Sequence, residues 1–279
     1  MASLATADAL ELLRHGSMDI EGRLADASNT TLRAVITLDD VNARCVYKPV
    51  RGERPLWDFP DGTLAGREVS AYLVGAATGW DPVPPTVFRD GPLGPGACQL
   101  WIETDDAIDP AFAGDVDVDG VAAPLLGFVP SRRLPKGWRR IASARDDGGR
   151  PYVLAHADDP RLARLAVFDA VINNADRKGG HVLQTGDHVY GVDHGVCFHV
   201  EPKLRTILWG FVDEPLPDDI AEVLRKVRVD LDGALGEALF EHLTVAEVVE
   251  VATRLDGLLV AGCFPAPSGE WPSVPWPPI

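Results

Sequence analysis

A chain of 279 residues is longer than one ordinary domain requires, so a single large domain and two lobes sharing an interface both fit. Its apolar fraction of 46% supplies ample core, and its net charge of −16 excludes a general nucleic-acid or anionic-membrane binder, since both need a positive surface. No apolar run approaches the ~20 residues that span a bilayer, and Asp8 and Glu11 interrupt the N-terminal apolar pattern, which excludes stable membrane insertion and a signal-peptide core. Cys45, Cys98, Cys197 and Cys263 form no Cys-x-x-Cys pair, which predicts free thiols and a cytoplasmic setting.

In chain order, residues 3–14 read as a short amphipathic helix ended by Gly16. Three strands are expected next, at 18–25, 31–38 and 43–47, separated by the turn formers of 26–30 and 39–42. In the third, Ala43, Cys45 and Tyr47 share one face and Arg44, Val46 and Lys48 the other, and Pro49 is expected to end the ladder. A Pro- and Gly-containing loop leads to a predicted helix over 64–77. Strands at 86–89 and 97–103 follow, joined by a long turn over 90–96. The acidic stretch 104–120 reads as a connection between lobes.

From Asp159 the chain is expected to be mainly helical. Pro160 suits a first helical position, and Leu162, Leu165, Ala166, Val171 and Ile172 make an apolar stripe. Further helices are predicted over 218–229, 233–243 and 244–260, the last opening with the capping box Thr244-Val-Ala-Glu247. The segment 265–279 holds six prolines beside Trp271 and Trp276, so it cannot be helical and reads as an extended tail laid on the body by its tryptophans.

The chemistry concentrates directly after the apolar helix. Residues 173–181 read Asn-Asn-Ala-Asp-Arg-Lys-Gly-Gly-His, and residues 188–198 read His-Val-Tyr-Gly-Val-Asp-His-Gly-Val-Cys-Phe. Asp176 thus falls on a loop at a helix end, and Asp193 at the end of a neighbouring strand. Phosphoryl transfer needs this division: one carboxylate orients the attacking hydroxyl and accepts its proton, another holds the metal ions that bridge nucleotide phosphates. Asn174-Ala-Asp176-Arg177 together with Asp193-His-Gly195 resembles the phosphatidylinositol 3-/4-kinase-like superfamily, most closely the catalytic loop of the type II phosphatidylinositol 4-kinases, with HipA-type kinases in the same group. The resemblance is clear over about 165–200 and only topological elsewhere.

That resemblance implies a bacterial α+β protein with a two-lobed, protein-kinase-like fold: a nucleotide-binding lobe over 1–104, a catalytic lobe over 105–265 and the tail 266–279. It makes Asp176, with Arg177 beside it, catalytic and Asp193 a metal ligand. His181 stands where the family has a metal-binding Asn, which favours manganese over magnesium. A kinase also needs a strand lysine and a helix carboxylate. Lys48 and Glu68 fill these roles, although Glu53 is an alternative and Arg67 could pair with Glu68. No glycine-rich loop is present, so Ser28, Asn29 and Thr30 are left to meet phosphates, and Glu103 or the backbone of 100–102 to meet adenine. The implied cofactors are ATP and Mg2+ or Mn2+. The expected acceptor is a protein Ser/Thr hydroxyl, with self-phosphorylation included; a phosphoinositide or small-molecule kinase, or a nucleotide-binding pseudokinase, are the alternatives.

Three other patterns carry less. Asp115-Val-Asp117-Val-Asp119-Gly120 opens like a calcium loop, but the position of its bidentate Glu holds Leu126. His181, His188, His194 and His199 are too widely spaced for a zinc site. Lys203 and Arg205 fall in the substrate-binding segment, where lipid kinases carry basic residues for headgroup phosphates.

Overall fold

The structure is a computed structural model that describes residues 4–24, 28–104 and 124–279. The calcium-like stretch 115–120 lies outside these residues, as does Ala27, which precedes the expected phosphate residues Ser28, Asn29 and Thr30.

The chain opens with α1 (Thr6–His15), then β1 (Ser17–Arg23), β2 (Leu32–Leu38) and β3 (Val41–Pro49). Helix α2 (Leu64–Thr78) precedes β4 (Thr86–Gly91) and β5 (Gly94–Leu100). The five strands form one antiparallel sheet in the order β1-β2-β3-β5-β4. Alternation explains its two faces. Ala34, Ile36, Cys45 and Cys98 pack against Leu12 and Leu13 of α1, while Val46 and Lys48 turn to the opposite side and line a cleft.

Pro49 ends the ladder as expected, pairing with Gly96 as the last residue of β3, where a missing N–H costs little. The expected 90–96 turn shrinks to a two-residue hairpin, because β4 and β5 continue to the pair Gly91–Gly94. Tyr47 lies across this hairpin end and donates its hydroxyl proton to Gly94 O. A Cβ on Gly91 would sit 2.7 Å from the Tyr47 ring, so the glycines here make room for an aromatic rather than only for a turn.

A second, three-stranded sheet was not anticipated: β6 (Leu126–Pro130), β7 (Trp138–Arg145) and β8 (Pro151–Ala157), in the order β6-β8-β7. The helical region then starts where expected, at α3 (Pro160–Ile172), with Asp159 capping Arg161 N and Pro160 in the first turn. A short hairpin, β9 (Val182–Thr185) and β10 (His188–Gly191), precedes α4 (Asp218–Leu231), α5 (Ala234–Phe240) and α6 (Val245–Ala261). Thr244 and Glu247 form the expected capping box. The main core runs from Tyr72 and Val74 of α2 through Phe168 and Ile172 of α3 to Leu224 of α4 and Val251 of α6. Arg67 of α2 adds a buried ion pair with Glu247 of α6 at 2.5 Å.

The tail packs on the body, but mostly not by its tryptophans. Ser273 O accepts from Thr206 N (3.0 Å) and Trp209 Nε1 (2.8 Å), and Pro278 O accepts from Gly179 N (2.8 Å). Pro275 and Pro278 are buried, whereas Trp276 is 83% exposed. Removing 272–279 should therefore lower the melting temperature by roughly 4 °C or more, since three hydrogen bonds and two buried prolines are lost; an unchanged melt would contradict this packing.

His156 has no solvent exposure; its Nδ1 faces Ala157 O at 2.7 Å and its Nε2 accepts from Gly210 N at 3.2 Å. Burial, aided by nearby Arg139, holds its pKa below the usual 6.5. The unfolded chain then binds the proton more readily, so stability present above about pH 6.5 is lost as pH falls. Denaturant midpoints measured across that range should decline toward acid, and less steeply in His156→Gln; an identical slope in the variant would contradict this.

Candidate active site

A cleft of about 550 Å³ lies between the five-stranded sheet and the catalytic-loop region, lined by Lys48, Glu68, Asp176, His181 and Asp193 together with Ser28, Asn29 and Thr30. Residues far apart in sequence are brought together by four segments: β3 carries Lys48, α2 carries Glu68, and the segments after α3 and β10 carry Asp176 and Asp193.

Lys48 is the electrostatic centre. Its Nζ donates to Glu68 Oε1 and to Asp193 Oδ1, the latter at 2.7 Å. Burial alone would depress the ammonium's pKa, but Asp193 and Glu68 outweigh it and hold the lysine firmly charged. Lys48 in turn draws the Asp193 carboxyl well below the usual range against its own desolvation. Glu68 is pushed up because it is buried, with Lys48 opposing. The choice between Glu68 and Glu53 is decided by α2: Glu53 caps its first turn, accepting from Leu64 N (3.0 Å) and Ala65 N (2.8 Å). Arg67 does not compete for Glu68, because it points away to Glu247, Cys197 O and Asp61 O. The second Glu68 oxygen accepts from His194 N at 3.0 Å, tying α2 to the residue after Asp193.

The catalytic loop is held from behind. Asp176 N donates to Asn174 Oδ1 at 2.9 Å, and Asp176 O lies 3.0 Å from His181 Nδ1. The other His181 nitrogen, Nε2, faces Asp193 Oδ2 at 3.4 Å, so one imidazole spans the two aspartate segments. Burial lowers its pKa, with Asp193 opposing. Lys178, not singled out from sequence, places Nζ 3.0 Å from Asp176 Oδ2 and lines the cleft. Among the described residues no group of three or more His, Cys, Asp or Glu side chains converges as a metal cage.

Several expected residues take other positions. Arg177 does not reach the cleft: its side chain has no exposure and pairs with Asp169 at 2.8 Å, with Nη1 bonded to Val192 O and Nη2 to His194 Nε2. Its charge is neutralised where substrate cannot touch it, so it positions the loop. Glu103 turns outward to Arg44 at 3.0 Å; Leu100, Trp101 and Ile102 line the cleft instead. Lys203 is 4% exposed, paired with Asp58 at 3.1 Å and enclosed by the rings of Trp57, Phe59 and Trp271. Its ammonium is already engaged within the chain, contrary to a role in binding headgroup phosphates. Asn29 and Thr30 are held by the following loop, through Arg54 N to Asn29 Oδ1 and Thr30 N to Gly52 O.

Sequence reasoning missed Asp169. It accepts from Arg177 and from Asn174 Nδ2 (3.0 Å), and its backbone carbonyl accepts from Asn174 N. Its signal was a single charge inside the apolar run from Leu165 to Ile172. Asp169→Asn leaves a buried guanidinium without its counter-charge, so denaturant unfolding should report a loss of roughly 3–5 kcal/mol. A loss under about 1 kcal/mol, the range of an exposed pair, would contradict the role given to this ion pair.

Against known proteins, the chain is 48% identical over 268 residues to Protein Rv2133c of Mycobacterium tuberculosis (strain ATCC 25618 / H37Rv), spanning 95% of this chain and 94% of that one. No family model matches. The fold is similar to that of the Golgi casein kinase with Mn/ADP bound, at a TM-score of 0.53 and 14% identity over 92% of this chain and 75% of that one. It is also similar to hydra Fam20 with sugar, at a TM-score of 0.50 and 12% identity over 94% and 89% of the two chains. At such identities the likeness is one of architecture: a kinase-like α+β fold with a small antiparallel sheet lobe and a helical lobe. At 48% identity along nearly its whole length, the chain belongs to the family of the mycobacterial Protein Rv2133c.

Proposed function

We propose that this protein is an ATP-dependent phosphotransferase whose acceptor is a protein Ser/Thr hydroxyl, self-phosphorylation included. The observation that carries this reading is Lys48, bonded at once to Glu68 of α2 and to Asp193 of the opposite wall, in the same cleft as Asp176. A charged lysine fixed by two carboxylates is placed to hold nucleotide phosphates. Asp176 lies free of that pair, with its backbone fixed by Asn174 and His181, where it orients an acceptor hydroxyl and takes its proton. Lys178 beside it offers a second cation to the transferred group.

The site fits a divalent ion. Asp193 Oδ2 and His181 Nε2 face each other across 3.4 Å and would hold the ion with one hard and one borderline donor. When bound, the ion neutralises phosphate charge; the mixed donor pair favours Mn2+ beside Mg2+. The Golgi casein kinase structure with Mn/ADP bound has the same architecture. Backbone at 100–102 receives the base, and Ser28, Asn29 and Thr30 flank the phosphates. Residues 1–104 act as the nucleotide lobe, 105–265 as the catalytic lobe and 266–279 as a strap. The catalytic-loop pattern keeps the phosphatidylinositol 3-/4-kinase-like superfamily as the evolutionary reading.

Protein is favoured over a phosphoinositide acceptor because Lys203 is withdrawn into an aromatic cage and the chain carries a net charge of −16. No helix among the described residues is long and apolar enough to cross a membrane. The four cysteines are free thiols, in keeping with a reducing, cytoplasmic setting.

Incubation with γ-labelled ATP and Mn2+ or Mg2+, alone and with phosphoinositide vesicles, should label protein, and the rate should fall about a hundredfold or more in Asp176→Ala. Label confined to lipid would overturn the acceptor, and nucleotide binding without transfer under either metal would overturn the catalysis.

A further inference from the structure

Between Lys48 and the backbone expected to meet the base lies one buried amide that nothing above uses. Gln99 is 6% exposed, lines the cleft, and sits in the sheet directly between Val46 of β3 and Thr86 of β4. Lys48 is one pleat further along, opposite Ala97, and Leu100, Trp101 and Ile102 follow Gln99 immediately along the cleft wall. A base entering from that wall, with its phosphates toward Lys48, brings its inner edge against Gln99. Val46, Leu183 and Val192 give that part of the cleft its apolar lining.

Hydrogen-bond direction fixes which end of the amide faces inward. Thr86, 2% exposed, has one hydroxyl proton, and it is committed to Pro84 O at 2.7 Å, an atom that can only accept. The same oxygen lies 2.8 Å from the Gln99 amide and has no proton left to give, so it accepts. The near atom of the amide is therefore nitrogen, and the carbonyl oxygen is the other end. Among the described residues Oε1 has no hydrogen-bond partner, and it belongs to a side chain whose open side is the cleft.

Resting on the nucleotide-cleft reading above, we propose that Gln99, oriented by Thr86, selects a 6-aminopurine: Oε1 accepts from the exocyclic amine of adenine and rejects purines that carry an oxygen at that position. A 6-oxo group would set carbonyl against carbonyl in a nearly dry spot and leave both unpaired, whereas the amine satisfies the one open acceptor. Gln99 thus determines specificity, and Thr86 is a positioning residue acting through it.

The test uses the full chain with Mn2+ and compares dissociation constants for ATP and inosine 5′-triphosphate, which alters the purine only at this edge. The wild type should bind ATP at least about tenfold more tightly. Thr86→Val frees the amide to turn its NH2 inward and should bring the ratio toward one, Gln99→Leu should do the same by removing the acceptor, and Thr86→Ser should retain the wild-type ratio. Melting curves of each variant report folding, and either Thr86→Val or Gln99→Leu suffices for the comparison. Equal affinity for the two nucleotides in the wild type, or an ATP preference surviving Thr86→Val and Gln99→Leu alike, would overturn the assignment while leaving the nucleotide reading intact. A wild type that binds neither nucleotide would remove that reading, and this inference with it.

Discussion

Arg177 and Asp169 are both wholly removed from water. Desolvating two charges costs several kcal/mol each, and the pair is tolerable only because the guanidinium's other bonds are also made. Those bonds organise the site. Nη1 reaches His181 O and Val192 O, Nη2 reaches His194 Nε2, and Asp169 holds Asn174, whose side chain fixes Asp176 N. The loop carrying Asp176 and the strand end carrying Asp193 are thus set against each other through one buried cation. Gly191 shows how close that packing is: a Cβ there would sit 2.7 Å from Arg177 Nη2. Any larger residue would have to displace the guanidinium.

On this platform the contacts across the cleft itself are charged, while behind it Tyr72 and Val74 of α2 pack into the main core with Phe168 and Ile172 of α3. Asp193 takes a left-handed backbone conformation, φ 61, uncommon for a residue with a side chain and best tolerated by Asp and Asn. Lys48 meets its carboxylate, and Glu68 bonds both Lys48 and His194 N. A helix carrying such a carboxylate can swing in kinase-like folds that regulate through it. Here Arg67, one residue earlier, is bound to Glu247 of α6 and to Cys197 O, both in the helical lobe. The same turn of α2 therefore presents Glu68 to the site and fixes itself to the large lobe.

The parts legible in the sequence were those with local physics. Asp159-Pro160 marked the start of α3 and Thr244 with Glu247 that of α6, because caps depend on neighbours a few residues away. Alternation along β3 set Lys48 on the face away from Cys45 and Tyr47, and that face lines the cleft. The second sheet escaped because β7 reads Trp-Arg-Arg-Ile-Ala-Ser-Ala-Arg, and a register shift between Arg140 and Ala142 interrupts its period of two. Lys203 and Glu103 were placed by family position, and their real partners, Asp58 and Arg44, are 145 and 59 residues away in sequence. Arg177 was read from its neighbour Asp176; that it is buried depends on Gly191, Val192 and His194, which no local pattern reveals.

The central claim is that Lys48, Asp193 and Asp176 converge on one metal-bound triphosphate. A crystal structure with Mn2+ and a non-hydrolysable ATP analogue tests it most directly. The account predicts phosphate oxygen within about 3 Å of Lys48 Nζ, the ion on Asp193, and the terminal phosphate facing Asp176. Nucleotide bound away from this cleft, or with its phosphates turned from Lys48 and Asp193, would contradict it.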